Sequence, residues 1–131
     1  MAEIEVGEYV RTNKGLITKI TDIEIEKYED GTSEIFIETE LNHGYLDYTI
    51  EDIVKHSKQL IDLIEVGDIV NSCIVIGFGY ECVNGNKEKS ILVEGKYTKV
   101  NYALLNWDIE TILTKEQMEA NCYKVGGEDG N

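Results

Sequence analysis

Acidic side chains at every second position are the residues of this chain whose type and spacing carry chemistry. Asp22, Glu24 and Glu26 alternate with Ile23 and Ile25, and Glu34, Glu38 and Glu40 alternate with Ile35, Ile37 and Leu41 around Phe36. On an extended strand, residues two apart share a face and lie about 6.8 Å from each other. The pattern therefore predicts two rows of carboxylates on one face and a row of apolar side chains on the other. Such a face suits a cationic surface: it can stand in for a phosphate backbone in a Lys/Arg-lined channel, with Phe36 as an apolar anchor. The plainer reading is a solvated outer face whose like charges prevent edge pairing and aggregation.

The side chains that catalysis needs occur in no usable pattern. His43 and His56 fall in expected loops, and His56 beside Ser57 reads as a surface residue rather than part of a triad. Cys82 has no histidine near it in sequence and reads as a structural thiol. Glu29, Asp30 and Glu34 cluster, but not in the D-x-D-x-D-G order of a calcium loop, and Gly77 and Gly79 lack the Lys-Ser/Thr and helix of a phosphate loop. No catalytic residue, metal or cofactor is expected, and the chain reads as non-enzymatic.

Charge points the same way. The 131 residues hold 12 basic and 26 acidic side chains, a net charge of −14, more than solubility asks of a small domain. Phosphates and anionic lipid would be repelled and basic proteins attracted, so direct nucleic-acid and membrane binding are not expected. Three cysteines, Cys73, Cys82 and Cys122, without C-x-x-C spacing argue against a disulfide framework or a zinc ribbon. With neither a secretory leader nor a membrane-length apolar run in view, the expected location is the cytoplasm.

The elements that must position the carboxylates follow from a duplication. Ile4-Glu5-Val6-Gly7-Glu8-Tyr9-Val10 is restated 60 positions later as Ile64-Glu65-Val66-Gly67-Asp68-Ile69-Val70, and Ile53-Val54-Lys55 as Leu113-Thr114-Lys115. Each copy reads as a β unit opening on a glycine turn, 1–63 and 64–125, with a tail at 126–131. Units of about 60 residues bury little surface alone, so the two are expected to pack together.

Within the first unit a strand is predicted over Glu5 to Arg11, and Asn13-Lys14-Gly15 is a turn. A long strand from Leu16 to Lys27 follows, with a bulge near Ile20 to Asp22 where the apolar parity changes. Asp30-Gly31 is the strongest hairpin signal, Asn42-His43-Gly44 closes the next strand, and Thr49 caps a helical turn. The apolar bridge His56 to Asp62 is too hydrophobic to be a free linker. In the second unit strands are expected at Asp68 to Val70, Ile74 to Ile76, Ile91 to Glu94 and Lys99 to Leu105, with a bend at Gly77 to Tyr80 and a turn at Asn84-Gly85-Asn86. Thr114 and Gln117 form a capping box that starts a short helix at 114–121, and Cys122 to Val125 can return as a last strand. Tyr80, Tyr97, Tyr102 and Trp107 are candidates to line a groove in this half, which holds 11 acidic residues against 15 in the first.

Two stretches carry resemblances. Val6-Gly7-Glu8-Tyr9-Val10-Arg11 followed by Gly15-Leu16-Ile17-Thr18-Lys19-Ile20 resembles the opening of SH3-like barrels. Together with the duplication and the capped segment at 114–121, it implies a mainly β fold of two SH3-like β-barrel repeats packed together, with a short C-terminal helix. Asp52 to Ser57, Leu60 to Asp68 and Ile112 to Gln117 are similar to stretches of small prophage and mobile-element proteins of low-G+C Gram-positive bacteria. That resemblance implies a mobile-element setting, where small acidic proteins often inhibit host defence, anti-CRISPR proteins among them. The expectation is an acidic protein-binding module engaging a basic host protein, such as a nuclease that binds nucleic acid, through Asp22, Glu24, Glu26, Glu34, Phe36, Glu38 and Glu40. The alternative is a structural or assembly protein of a phage particle, a homo-oligomer held by homotypic contacts.

Overall fold

The computed structural model describes residues 4–41, 48–95 and 100–121. Its strands are β1 (Tyr9–Thr12), β2 (Ile17–Lys27), β3 (Ser33–Thr39), β4 (Tyr48–Thr49), β5 (Ile53–Ser57), β6 (Ile69–Val70), β7 (Cys73–Val83), β8 (Asn86–Glu94), β9 (Asn101–Leu105) and β10 (Ile112–Leu113), followed by the helix α1 (Lys115–Asn121). They form two five-stranded antiparallel sheets, ordered β4-β3-β2-β1-β5 and β10-β6-β7-β8-β9. Replacing each strand of the first order by the strand five places later reproduces the second. The fold is mainly β, two five-stranded antiparallel repeats packed together, with a short helix after the last strand among the described residues.

Hydrogen bonding explains the duplicated opening. Gly7 and Gly67 take φ of +96° and +99°, a left-handed turn that favours glycine. Gly7 N–H then donates to Ile20 C=O and Gly67 N–H to Val75 C=O, both at 3.0 Å, while Ile20 N–H and Val75 N–H return bonds of 2.8 Å to Glu8 C=O and Asp68 C=O. A register shift follows immediately in each repeat, between Ile20 and Asp22 and between Val75 and Gly77. The expected bulge near Ile20 to Asp22 is therefore present and has a twin. The start of β1 differs from expectation: Glu5 to Gly7 belong to the glycine turn, and Gly77 to Tyr80 run inside β7 instead of bending the chain away.

Each repeat has its own core. Val10, Ile20 and Ile37 are fully buried in the first, ringed by Ile4, Ile23, Ile35, Tyr48, Ile50 and Ile53. Ile61, Ile64, Val70, Val75, Ile91 and Val93 form the second. The bridge between the copies is a 3₁₀ turn, Leu60–Leu63, that buries Ile61 and Leu63. Burying such a side chain contributes about 1.5–3 kcal/mol, which is why this segment is packed. Parity alone misplaces two apolar residues: Ile25 and Leu41, expected in the core, are about 60% exposed (60% and 61%). The β2–β3 hairpin is longer than the core beneath it.

Local signals hold where they were strongest. Gly31 closes the β2–β3 hairpin at φ +91°, and Asn84 and Gly85 join β7 to β8 at φ +52° and +82°, the two positive values of a type I′ turn. Thr49 N–H donates to Asp52 Oδ2 at 3.0 Å at the start of the 3₁₀ turn Ile50–Asp52. Thr114 N–H donates to Gln117 Oε1 at 3.0 Å and Gln117 N–H to Thr114 Oγ1 at 3.3 Å, the reciprocal pair expected at the start of α1. The segments Asn42-His43-Gly44, Cys122 to Val125 and the tail lie outside the described residues.

Candidate functional site

The register of β2 against β3 turns the alternating acids into a surface. Asp22 faces Glu38, Glu24 faces Phe36 and Glu26 faces Glu34, while Ile23 faces Ile37 and Ile25 faces Ile35 on the other side. Carboxylates thus stand directly opposite one another at both ends of the face, with Phe36 between them. Like charges opposed across a sheet destabilise it by roughly 0.2–1 kcal/mol per pair. Asp22, Glu24, Glu26 and Glu40 are exposed; Glu34, Phe36 and Glu38 are half-buried.

At the hairpin end the carboxylates are held in place. Tyr28 OH donates to Glu34 Oε1 at 3.0 Å, and this bond with the carboxylate raises the phenol above its ordinary pKa. Asp30 Oδ1 accepts the Thr32 hydroxyl at 2.6 Å and the Thr32 N–H at 3.0 Å, which lower the Asp30 pKa. Asp30 and Glu34, two members of the acidic cluster, therefore turn to different neighbours.

A buried ionic joint ties the two repeats together. Arg11, on β1, is fully buried, as is Asp68 from the second copy of the duplicated motif. Arg11 Nη1 donates to Asp68 Oδ2 at 2.6 Å and to Leu63 C=O at 2.9 Å; Nη2 donates to Asp68 Oδ1 at 3.0 Å and Glu116 Oε1 at 2.6 Å. Asp68 also accepts Glu65 N–H at 2.8 Å and Lys115 N–H at 3.0 Å, so each oxygen has two donors. Burial works against the Arg11 charge, but its bonds to Asp68 and Glu116 outweigh it and hold the guanidinium above its ordinary pKa. Around the joint, Glu65 pairs with Lys115 at 3.0 Å, Lys55 at 3.3 Å and Arg11 at 3.7 Å. Burial pushes the Glu65 carboxyl up, and those three cations more than reverse it, leaving it below its usual range.

Arg11 carried no signal of this role in the sequence beyond its position, a charged residue between Val10 and Thr12 on an inward-facing strand. The equivalent carboxylate of the first repeat, Glu8, has another partner. It lies 2.8 Å from His56 Nδ1. His56 therefore belongs to β5, not to a surface loop, and Ser57, the next residue along the strand, donates instead to Asp62 Oδ2 at 2.6 Å. Neighbours on a strand point to opposite faces, so this pair is no catalytic couple.

The aromatic candidates of the second half lie on three different elements. Tyr80 lies on β7 opposite Lys89, Tyr102 on β9 opposite Val93, and Trp107 in the 3₁₀ turn Asn106–Asp108; they are 62%, 45% and 60% exposed. Tyr97 lies outside the described residues. A cleft of about 310 Å³ does occur between the repeats, but it is lined by other residues, among them Tyr9, Thr18, Lys19, Glu40, Ile109 and Gln117. Among the described residues no helix is long and apolar enough to cross a membrane. Comparison with models of protein families, with curated proteins and with solved structures found no match.

Proposed function

We propose that this chain is a non-enzymatic acidic binding module whose β2–β3 hairpin docks on the basic, nucleic-acid-binding surface of another protein. The observation that carries this reading is the register: Asp22 against Glu38 and Glu26 against Glu34, with Phe36 opposite Glu24 between them. A sheet keeps opposed carboxylates at a cost to itself, and a Lys/Arg-lined surface removes that cost on binding. Exposed charge on both rows gives fast, salt-sensitive association, and half-buried Phe36 supplies the apolar contact that charge alone lacks. The similarity of Asp52 to Ser57, Leu60 to Asp68 and Ile112 to Gln117 to prophage proteins directs the reading to a host enzyme of nucleic acids, a defence nuclease among them, met in the host cytoplasm.

The test is competition. A basic protein captured from a low-G+C Gram-positive lysate at low salt is loaded with a labelled oligonucleotide, and this chain is titrated in. Displacement by the wild type and none by a Glu34→Lys, Glu38→Lys, Glu40→Lys variant is the expected result. Equal displacement by a folded triple variant overturns the proposal.

A further inference from the structure

The two long hairpins are the same element of the two repeats, each opening on an 11-residue strand, yet they carry opposite chemistry. On β7 and β8 the core face runs outward from buried Val75, Ile91 and Val93 to residues beyond the core. There Phe78 pairs with Ile91, Tyr80 with Lys89 and Cys82 with Lys87, all on one face. Phe78 is 43% and Tyr80 62% exposed. Lys89 Nζ stands 5.5 Å from the centre of the Phe78 ring and Lys87 Nζ 4.4 Å from that of Tyr80. A cation over a ring face is held by the ring quadrupole, so the face presents ammonium groups fixed on an aromatic platform. Lys89 also meets Asp62 at 3.2 Å. In the sequence from 87 to 107, Lys87, Lys89, Lys96 and Lys99 outnumber Glu88 and Glu94, against the trend of a chain of net charge −14.

A face of this kind fits an anionic strand with carboxylates two residues apart beside an apolar side chain. Lys87 and Lys89 are themselves two apart on a strand, about 6.8 Å, the spacing of Glu24, which faces Phe36, and Glu26, which faces Glu34. We propose that the acidic β2–β3 face of one copy docks on the Phe78, Tyr80, Lys87 and Lys89 face of a second copy, head to tail. Because the two surfaces differ, each copy of a pair keeps one face free, the acidic on one and the basic on the other, and the contact propagates. The inference rests on the reading above that the acidic face is a docking surface, and it adds regulation: assembly covers that face until a more basic partner displaces the copy. Repulsion between copies of net charge −14 opposes assembly at low salt. At about 0.15 M, where charges more than about 8 Å apart are screened, the local pairs prevail.

The experiment mixes two half-disabled variants, Glu24→Lys with Glu26→Lys, and Phe78→Ser with Tyr80→Ser and Lys87→Glu, each checked for a native circular dichroism spectrum and melt. Mass is read by sedimentation velocity at about 0.15 M salt and from about 1 μM to about 1 mM protein. Wild type is expected to grow in mean mass with concentration, each variant to remain monomeric, and the equimolar mixture to form dimers and nothing larger, because each partner offers only one working face. A monomeric wild type, or a mixture that stays monomeric, overturns the inference. Binding of a labelled single-stranded oligonucleotide by wild type, lost in the Phe78 and Tyr80 variant, assigns the face to nucleic acid and overturns it too. Displacement of the oligonucleotide from the basic protein by a strictly monomeric wild type rejects this inference while the proposed function stands.

Discussion

Replacing Arg11 with methionine, which fills similar volume without charge, tests how the repeats are joined. The change removes all four guanidinium hydrogen bonds, two of them to Asp68, one to Leu63 C=O and one to Glu116. Glu116, a third exposed (33%), can turn to water. Asp68 cannot: it is fully buried and keeps only the N–H groups of Glu65 and Lys115. Removing one partner of a buried ion pair typically costs about 3–5 kcal/mol, because the other charge is left uncompensated. With an unfolding entropy of about 2.1 cal/mol/K per residue, 131 residues give about 0.28 kcal/mol/K. The Tm should therefore fall by about 11–18 °C. Thermal unfolding followed by circular dichroism measures it, and the same change in an Asp68→Asn background should cost less by about 1–3 kcal/mol, since no buried charge is then stranded. A loss under about 1 kcal/mol, the size of an exposed pair, or strict additivity with Asp68→Asn would refute the reasoning.

Two further outcomes follow from the same joint. Gly15 has φ +87°, and a Cβ there would lie 2.7 Å from Glu116 Cβ and closer to Thr114 Oγ1, whose hydroxyl donates to Gly15 C=O at 2.8 Å. Gly15→Ala should add overpacking of about 1–3 kcal/mol to a left-handed penalty of about 1–2 kcal/mol. Gly31→Ala, at φ +91° with nothing within 4 Å, should show the backbone penalty alone, and equal urea midpoints for the two variants would contradict this. For acid stability, the Glu65 carboxyl is held below its ordinary value near 4.5 in the folded chain. Its contribution is therefore complete above that pH and is lost as pH falls through the lower folded value, where the unfolded chain has already taken up the proton. Glu65→Gln should flatten the fall of the urea midpoint below about pH 4.5 relative to wild type; parallel acid limbs would exclude the role.

Local chemistry made much of the architecture legible. Gly31 and Asn84-Gly85 close hairpins because few residues other than Gly and Asn tolerate their positive φ. The parity change at Ile20 to Asp22 is a bulge because a strand cannot otherwise move its apolar row to the other face. The acidic face is equally a matter of period two, so Asp22, Glu24, Glu26, Glu34 and Glu38 came to one side of the sheet as their spacing required. His56 is legible only in the tertiary structure, because a strand that pairs only with a distant strand has no local signature. β5 exists because β1 lies beside it, with Val10 opposite His56.

By itself the sequence determined what short-range physics dictates: two copies of a glycine-turned β unit, their turns, one capped helix and an excess of carboxylate on alternate positions. Tertiary structure decided everything that depends on residues far apart meeting. It set Asp22 opposite Glu38 and Glu26 opposite Glu34, and left Ile25 in water because the hairpin outreaches the core. It also brought Arg11 to Asp68 and Glu116, 57 and 105 positions away. An arginine between two strand residues carries no record of its partner. Only closure of the two repeats on each other excludes water from that guanidinium and makes its carboxylates indispensable.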